Sequence, residues 1–418
     1  MQGGHRMKVS AKAGAAAVGL AALAAAAVFA GPALLGGGEQ RGAAEQRLAG
    51  GRPEAGAASP SAPPGARPFT LVATGDTIPY PSIIAQAASD AAGSGAGHDF
   101  RRILAGVKPV VEAADLAICH HEIPYGRPGG PYTGYPAFKA PHELADALRD
   151  AGYDSCSTAS NHTLDDGWDG LVRTLDHLDR AGIKHVGSAR TAEEAKAPAV
   201  LSAGGATVAQ LDYTYGTNGI PLPAGKPWAV NLIDKDRIIA DARAARAAGA
   251  HVVVLSIHWG SEWQTAPDRQ QQDLAQALTA SRGADGLPDI DLVLGTHNHV
   301  PQPYEKVNGT WVVYGMGDQI ASFYEPAKLR GNMSSIPRFT FAPAAAHPGR
   351  WEVVKAEYLT SYADRGAPFR VVCTSCTAGG GASAGAAKRS EYAAVDRQVG
   401  EAVLSRGAGG QGLVRATR

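Results

Sequence analysis

The stretch STASNHTLDDGWDG (Ser157–Gly170) decides how this chain is read. The run YDSCSTA, ending at Ala159, has the composition of a short strand. It stops at an Asn-His pair, Asn161-His162, followed at once by acids and glycines. Leu171, Leu175 and Leu178 then recur at helical spacing. A strand that ends in a dense polar corner before a helix is the local pattern of an α/β fold. Two further corners repeat it: LSIHWGSE around His258 and LGTHNHVPQP around His297 and His299.

Working outward, the same pattern recurs along the chain. FTLVATGD runs from Phe69 to Asp76, DLAIC leads to His120 and Glu122, HVVVLSI leads to His258, and DIDLVLG leads to His297. TWVVYGMGD, ending at Asp318, follows the same rule. Between these runs, Phe100, Ile103, Leu104, Val107 and Val111, and then Leu144, Leu148 and Ala151, follow helical spacing. In α/β sheets ligands gather at the carboxyl ends of the strands. A single His there is more often a satisfied, half-buried side chain. Asp76, Glu122, Asn161-His162, His258 and His297/His299, all at strand ends, exceed what folding requires. Carboxylates and imidazoles in a cleft cost free energy unless paired or metal-bound. A mixed oxygen and nitrogen set of this kind suits a divalent ion of the Mn, Fe or Zn type.

The charge balance is neutral, with 39 Lys+Arg against 39 Asp+Glu, and gives no support to a nucleic-acid partner. Residues 1–37 carry Arg6, Lys8 and Lys12 ahead of an apolar run from Ala13 to Leu35, the pattern of a signal peptide or signal anchor. Residues 38–68 are a Gly/Ala/Pro linker, too poor in apolar residues to offset the entropy of ordering. These segments imply export, with the folded part outside the cytoplasm, secreted or held by its N-terminus. A folded domain is expected over 69–360. An extension with a CxxC pair and a mobile tail is expected over 361–418, with a terminal helix from Glu391 to Leu404. Cys119 and Cys156, in apolar strand segments, read as buried thiols, and Cys373 and Cys376 (CTSC) as a local disulfide.

With TGD at 74–76, ADLAICHHEIP, SNHTLDDGWDGLVRTLDHLDRAGI, SIHWGSEW, GTHNHVPQP and VVYGMGD in view, the chain resembles the bacterial capsule-synthesis CapA proteins. Their domain is similar to the calcineurin-type metallophosphoesterases, and the likeness runs from about Phe69 to about Phe323. The resemblance implies a four-layer α/β sandwich, two central sheets flanked by helices, with two metal ions at the strand ends. Carried over, Asp76 becomes the first metal carboxylate and Glu122 the acid that bridges two ions. Asn161, His258, His297 and His299 become further ligands. His162 becomes the general acid, and Asp165 the carboxylate that orients it. His120 stands where the family has Asn; it is an added ligand or a neutral substitute, the substitute is preferred, and it is placed, with Glu262, on the substrate side. Asp318 stands where the family has Asn. Asp166 is assigned to capping the next helix. The loop RPGGPYTGYP, Arg127–Pro136, is expected to shape the entrance, whereas DARAARAAGA is a helix with an exposed Arg face.

Two classes of function follow. One is a metal-dependent hydrolase acting on a phosphoester or polymer linkage of the cell envelope. The other is a non-catalytic scaffold or binding subunit working with membrane-bound polymer synthesis or export proteins. The resemblance implies poly-γ-glutamate as the polymer. That chemistry is amide formation, and the chain has no G-x-x-x-x-G-K-[ST] loop for ATP, so activation falls to another protein.

Overall fold

In the computed structural model, residues 65–376 and 385–417 are described. Residues 1–37, and the linker 38–68 except its last four residues, lie outside them. Among the described residues no helix is long and apolar enough to cross a membrane.

The chain lays down its strands in three passes. The first gives β1 (Phe69–Thr77), β2 (Leu116–His121), β3 (Ser155–Ser157) and β4 (Lys184–Val186). The second gives β5 (Ala199–Ala203), β6 (Ala206–Thr214), β7 (Val252–His258), β8 (Leu292–Thr296), β9 (Tyr304–Val307) and β10 (Thr310–Val313). The third returns to the first sheet with β11 (Asp318–Ile320), β12 (Met333–Pro343), β13 (Trp351–Asp364), β14 (Arg370–Cys373) and β15 (Leu413–Arg415). The result is a nine-stranded sheet of order β14-β13-β12-β1-β2-β3-β4, with β11 on β1 and β15 on β13, and a six-stranded sheet of order β5-β6-β7-β8-β10-β9.

Alternation along each strand explains why these runs are apolar throughout. Leu71 and Ala73 face one core while Val72 faces another, and Leu116 and Ile118 alternate likewise with Ala117 and Cys119. In β7, Val252 and Val254 join the core between the sheets, and Val253, Leu255 and Ile257 join the core beneath the helices. Strands buried on both faces carry no polar alternation. Helices α1 (Pro81–Asp90), α2 (Arg101–Leu104), α3 (Lys108–Glu112), α4 (Glu143–Asp150) and α5 (Gly167–Ala181) cover the larger sheet. Helices α6 (Lys235–Ala247) and α7 (Arg269–Ala280) cover the smaller one. Helix, sheet, sheet, helix is the four-layer arrangement expected.

The C-terminal part is built into this core. The boundary expected after residue 360 falls inside β13, and β14 and β15 both pair with β13. Helix α8 (Ala386–Leu404) inserts Tyr392, Val395, Val399 and Val403 into the core between the sheets. The expected mobile tail falls largely on residues 377–384, outside the described residues.

Two local expectations are corrected. Cys119 and Cys156 are joined in a disulfide, because they stand directly opposite one another on β2 and β3 with Cα atoms 4.4 Å apart. Asp166 precedes α5 but does not cap it; its carboxylate is drawn to Arg173 and Lys139 instead. Cys373 and Cys376 form the expected local disulfide. The Arg face of α6 is ion-paired, Arg243 to Asp289 and Arg246 to Asp291.

Candidate metal centre

Parallel pairing of β1 with β2, β2 with β3, β6 with β7 and β7 with β8 points the carboxyl ends of both sheets to one place. Asp76 sits near the end of β1, Glu122 one residue past β2, and His258 is the last residue of β7. His297 follows β8 directly. Parallel pairing of β1 with β11 sets Asp76 opposite Asp318. The closeness of TGD to GMGD requires a glycine, since a Cβ on Gly75 would lie 1.8 Å from the Gly317 carbonyl oxygen.

The side chains meet as the strand ends dictate. His120 Nε2 lies 3.7 Å from Asp76 Oδ1, and His258 Nδ1 lies 4.0 Å from the same oxygen. His258 Nε2 is 3.7 Å from Glu122 Oε1. His299 Nδ1 is 3.0 Å from Asp318 Oδ1 and 4.0 Å from Asp76 Oδ2. Two groups of ligand-type atoms thus share Asp76: Asp76, His120 and His258, and Asp76, His299 and Asp318. The His297 ring lies 4.7 Å from that of His258. Asn161 Oδ1 accepts from His258 Nε2 at 2.8 Å.

The residues fit a cation by a direct test. Asp76 Oδ1, both Glu122 carboxylate oxygens, Asp318 Oδ2, His120 Nε2 and His297 Nδ1 are buried without a hydrogen-bond partner. Each such atom costs about 1–3 kcal/mol if nothing meets it. Divalent cations accept this mixture of carboxylate and imidazole donors. The backbone carries strain at the same place. His297 and His299 hold φ of 90° and 58°, a left-handed region that L side chains enter at a cost of roughly 1–3 kcal/mol. The turn after β8 brings both imidazoles to the cluster through this strain.

The electrostatics agree. Burial, then Asp318, raises the Asp76 carboxyl far above the usual range. Burial, then Asp76, does the same to Glu122. Burial, then His121, pulls His120 down to about 3, and burial with neighbouring imidazoles lowers His258 and His297. These histidines are held in the neutral form that metal ligation requires. Burial opposes the charge on His299 too, but Asp318, then Glu122 and Asp76, hold it up to about 10.

Next to the cluster, His162 Nδ1 shares a hydrogen bond of 2.7 Å with Asp165 Oδ2, which also accepts from the Phe138 backbone at 2.7 Å. The imidazole is therefore aimed, with Nε2 left outside that bond. A cavity of about 290 Å³ opens beside it, lined by His162, His299, Glu262, Trp263, Tyr135 and Phe138 among others.

Asp76, Glu122, Asn161, His162, Asp165, His258, His297 and His299 all converge here, and Glu262 lies on the cavity wall. His120 is the exception among the assignments. It is buried within ligand distance of Asp76 rather than on the substrate side, and its Nδ1 is fixed by Ser157 Oγ at 2.8 Å. Tyr135 of the Arg127–Pro136 loop lines this cavity. Sequence reasoning left out Asp318 as a ligand-type residue. The signal was present, because Asp318 follows an apolar run and glycine as Asp76 does. It also left out Asp212, whose Oδ2 accepts from Thr158 N and Ala159 N at 2.8 and 2.7 Å and so holds the loop that carries Asn161. A buried carboxylate in mid-run, such as the one in QLDYT, gives no sequence sign of the loop that it will bind.

Known proteins share this arrangement of sequence. The family described as "Bacterial capsule synthesis protein PGA_cap" matches residues 70–322, more than half of the chain. The "PGA biosynthesis protein CapA" of Bacillus subtilis (strain 168) is 28% identical over 187 residues, 42% of this chain and 44% of that protein. The "Capsule biosynthesis protein CapA" of Bacillus anthracis is 26% identical over 182 residues, 43% of each. The matched part spans less than half the length of these relatives. Among solved structures, a 5'-nucleotidase precursor from Thermus thermophilus superposes with a TM-score of 0.43 at 17% identity, covering 73% of this chain and 54% of that one.

Proposed function

This chain belongs to the bacterial capsule synthesis protein PGA_cap family, and from that premise we propose that it is a metal-dependent phosphoester hydrolase, acting outside the cytoplasm in the synthesis of a capsule or envelope polymer of the poly-γ-glutamate type. The observation that carries the reading is the gathering of partnerless carboxylate and imidazole atoms around Asp76, beside an aimed His162–Asp165 pair that faces an open cavity. The basic start and apolar run of residues 1–37 support the location.

Asp76, Glu122, Asn161, His120, His258, His297, His299 and Asp318 would hold two divalent ions. Such ions, when bound, supply Lewis-acid polarisation of a phosphoryl group and activation of water. The chain's own residues do the rest. Asp165 fixes the His162 tautomer, and Phe138 packs edge-on against the imidazole at 4.9 Å, which holds the ring in one pose. As water adds to phosphorus and the ester P–O bond breaks, His162 gives its proton to the departing oxygen. Thr296 and Ser157 orient His258 and His120 through their Nδ1 atoms.

A screen of phosphomonoesters, phosphodiesters and γ-glutamyl amides on the metal-loaded protein tests this. Hydrolysis of a phosphoester, lost on chelation, is expected. A fully metal-loaded protein that cleaves none of them, while still supporting polymer synthesis in cells, would replace the hydrolase with a scaffold.

A further inference from the structure

The disulfide between Cys119 and Cys156 adjoins the buried cluster on both of its strands. Cys119 precedes His120 near the end of β2, and Cys156 precedes Ser157 at the end of β3. Parallel pairing sets Cys119 opposite Cys156 and His120 opposite Ser157. The covalent bond and the 2.8 Å hydrogen bond from His120 Nδ1 to Ser157 Oγ are therefore successive rungs of one ladder. The other nitrogen of that ring, His120 Nε2, is the atom 3.7 Å from Asp76 Oδ1. Beyond the same rungs, β2 runs on to Glu122 and the chain after β3 runs on to Asn161.

Strand β3 has little else to fix its register. It is three residues long, and its outer neighbour β4 is an edge strand of the same length. Side chains alternate along it. Ser155 and Ser157 face the smaller sheet, where Ser155 Oγ donates to Gln210 Oε1 at 2.6 Å, while Cys156 is buried with Cys119 in the core beneath the helices. A slip of one residue would carry Ser157 to the helix-covered face and leave His120 Nδ1 without its partner. The bond between Cys119 and Cys156 forbids that slip. Metal sites need such support, because a ligand must be held close to its productive geometry by the groups behind it.

We propose that Cys119 and Cys156 are positioning residues of the metal centre, and that their oxidation completes it. The proposal rests on the metal reading of the cluster. Oxidising surroundings then finish the site, and reducing ones leave His120 loosely held. The bond forms by exchange with an incoming disulfide as the chain folds. One cysteine sulfur bonds to that disulfide and releases a thiol, and the second cysteine sulfur displaces the other. The incoming disulfide is reduced, and the two cysteine protons leave with its two thiols.

Calorimetry of Mn²⁺ binding to the full chain tests this. Cys119→Ala/Cys156→Ala, folded by circular dichroism at the temperature of measurement, should bind Mn²⁺ about tenfold more weakly than wild type. Cys373→Ala/Cys376→Ala is the control, since β14 is separated from β2 by β13, β12 and β1, and it should bind as wild type does. Wild-type protein unfolded with reductant and refolded should bind as weakly as the first variant, and reoxidation should restore its affinity. A folded Cys119→Ala/Cys156→Ala protein with wild-type affinity overturns the proposal, even if it melts at a lower temperature, because the disulfide is then a staple of the fold alone. A variant and a reduced chain that both fail to fold lead to the same conclusion. Two free thiols at Cys119 and Cys156 in native protein that binds Mn²⁺ at full affinity would also overturn it. Each of these results leaves the metal centre standing, whereas an oxidised wild-type chain that binds no Mn²⁺, Fe²⁺ or Zn²⁺ would remove the centre and the proposal together.

Discussion

The two ends of the central sheets treat their carboxylates in opposite ways. At the amino ends, Asp291 precedes β8, accepts from Val253 N at 2.7 Å and pairs with Arg246. Asp115 precedes β2 and accepts from Thr70 N and Arg67, both at 2.8 Å. At the carboxyl ends, Asp76, Glu122 and Asp318 each keep at least one buried oxygen without a partner, and the adjoining His297 and His299 backbones are strained. Burial, which raises both Asp291 and Asp76, does not distinguish the ends. Partnership does. The amino end is finished by folding, whereas the carboxyl end is arranged for something the chain does not itself supply.

That contrast can be broken residue by residue. The largest effect belongs to His162. His162→Ala should keep the metal yet lose on the order of 10²–10⁴-fold in rate, less for substrates with good leaving groups. Metal analysis beside single-turnover kinetics checks it, and loss of metal would make His162 a ligand instead. Next, Asp291→Asn should cost about 3–5 kcal/mol, because it strands the Arg246 charge, while metal content stays unchanged. Asp76→Asn should do the reverse. Denaturant melts of metal-free protein should show no loss of stability, or a small gain from removing a buried unpaired carboxylate, while metal binding disappears. If both variants destabilise the metal-free protein equally, the two ends do not differ in kind.

The smallest effect concerns a histidine outside both ends. Burial, then His142 and Arg180, pulls His177 down from 6.5 to about 4. As pH falls from 6.5 toward 4, the unfolded chain takes up this proton before the folded one does, so stability declines through that window. His177→Gln should flatten the decline in melting temperature between those pH values, and an unchanged slope would assign it to other groups.

How much of this is legible in the sequence follows from the same contrast. Runs such as HVVVLSIH fix strands through their β-branched and other apolar residues, and the polar residue that ends each run marks the carboxyl end of the sheet. Asp76, Glu122, His258, His297 and His299 are therefore readable one by one. What resists reading is register. Cys119 and Cys156 are 37 residues apart and look like two isolated thiols until β2 and β3 align them. His120 looks like an outlier of its family pattern until pairing with β1 sets it opposite Asp76. The part of the third pass beyond residue 360 reads as an extension, yet it is built into the larger sheet and the core. Strand β13 is mixed in burial at its start, and β14 and β15 are short, so their place in the nine-stranded sheet comes from partners distant in sequence.

The central claim is that the carboxyl-end cluster is built for a divalent cation. Elemental analysis of protein expressed with Mn, Fe and Zn supplied, paired with thermal melts before and after chelation, tests it most directly. The account predicts at least one equivalent of a divalent transition ion, a lower melting temperature after chelation, and recovery on adding the ion back. Protein that carries no metal under these conditions, and whose melting temperature ignores both chelator and added ion, would contradict it.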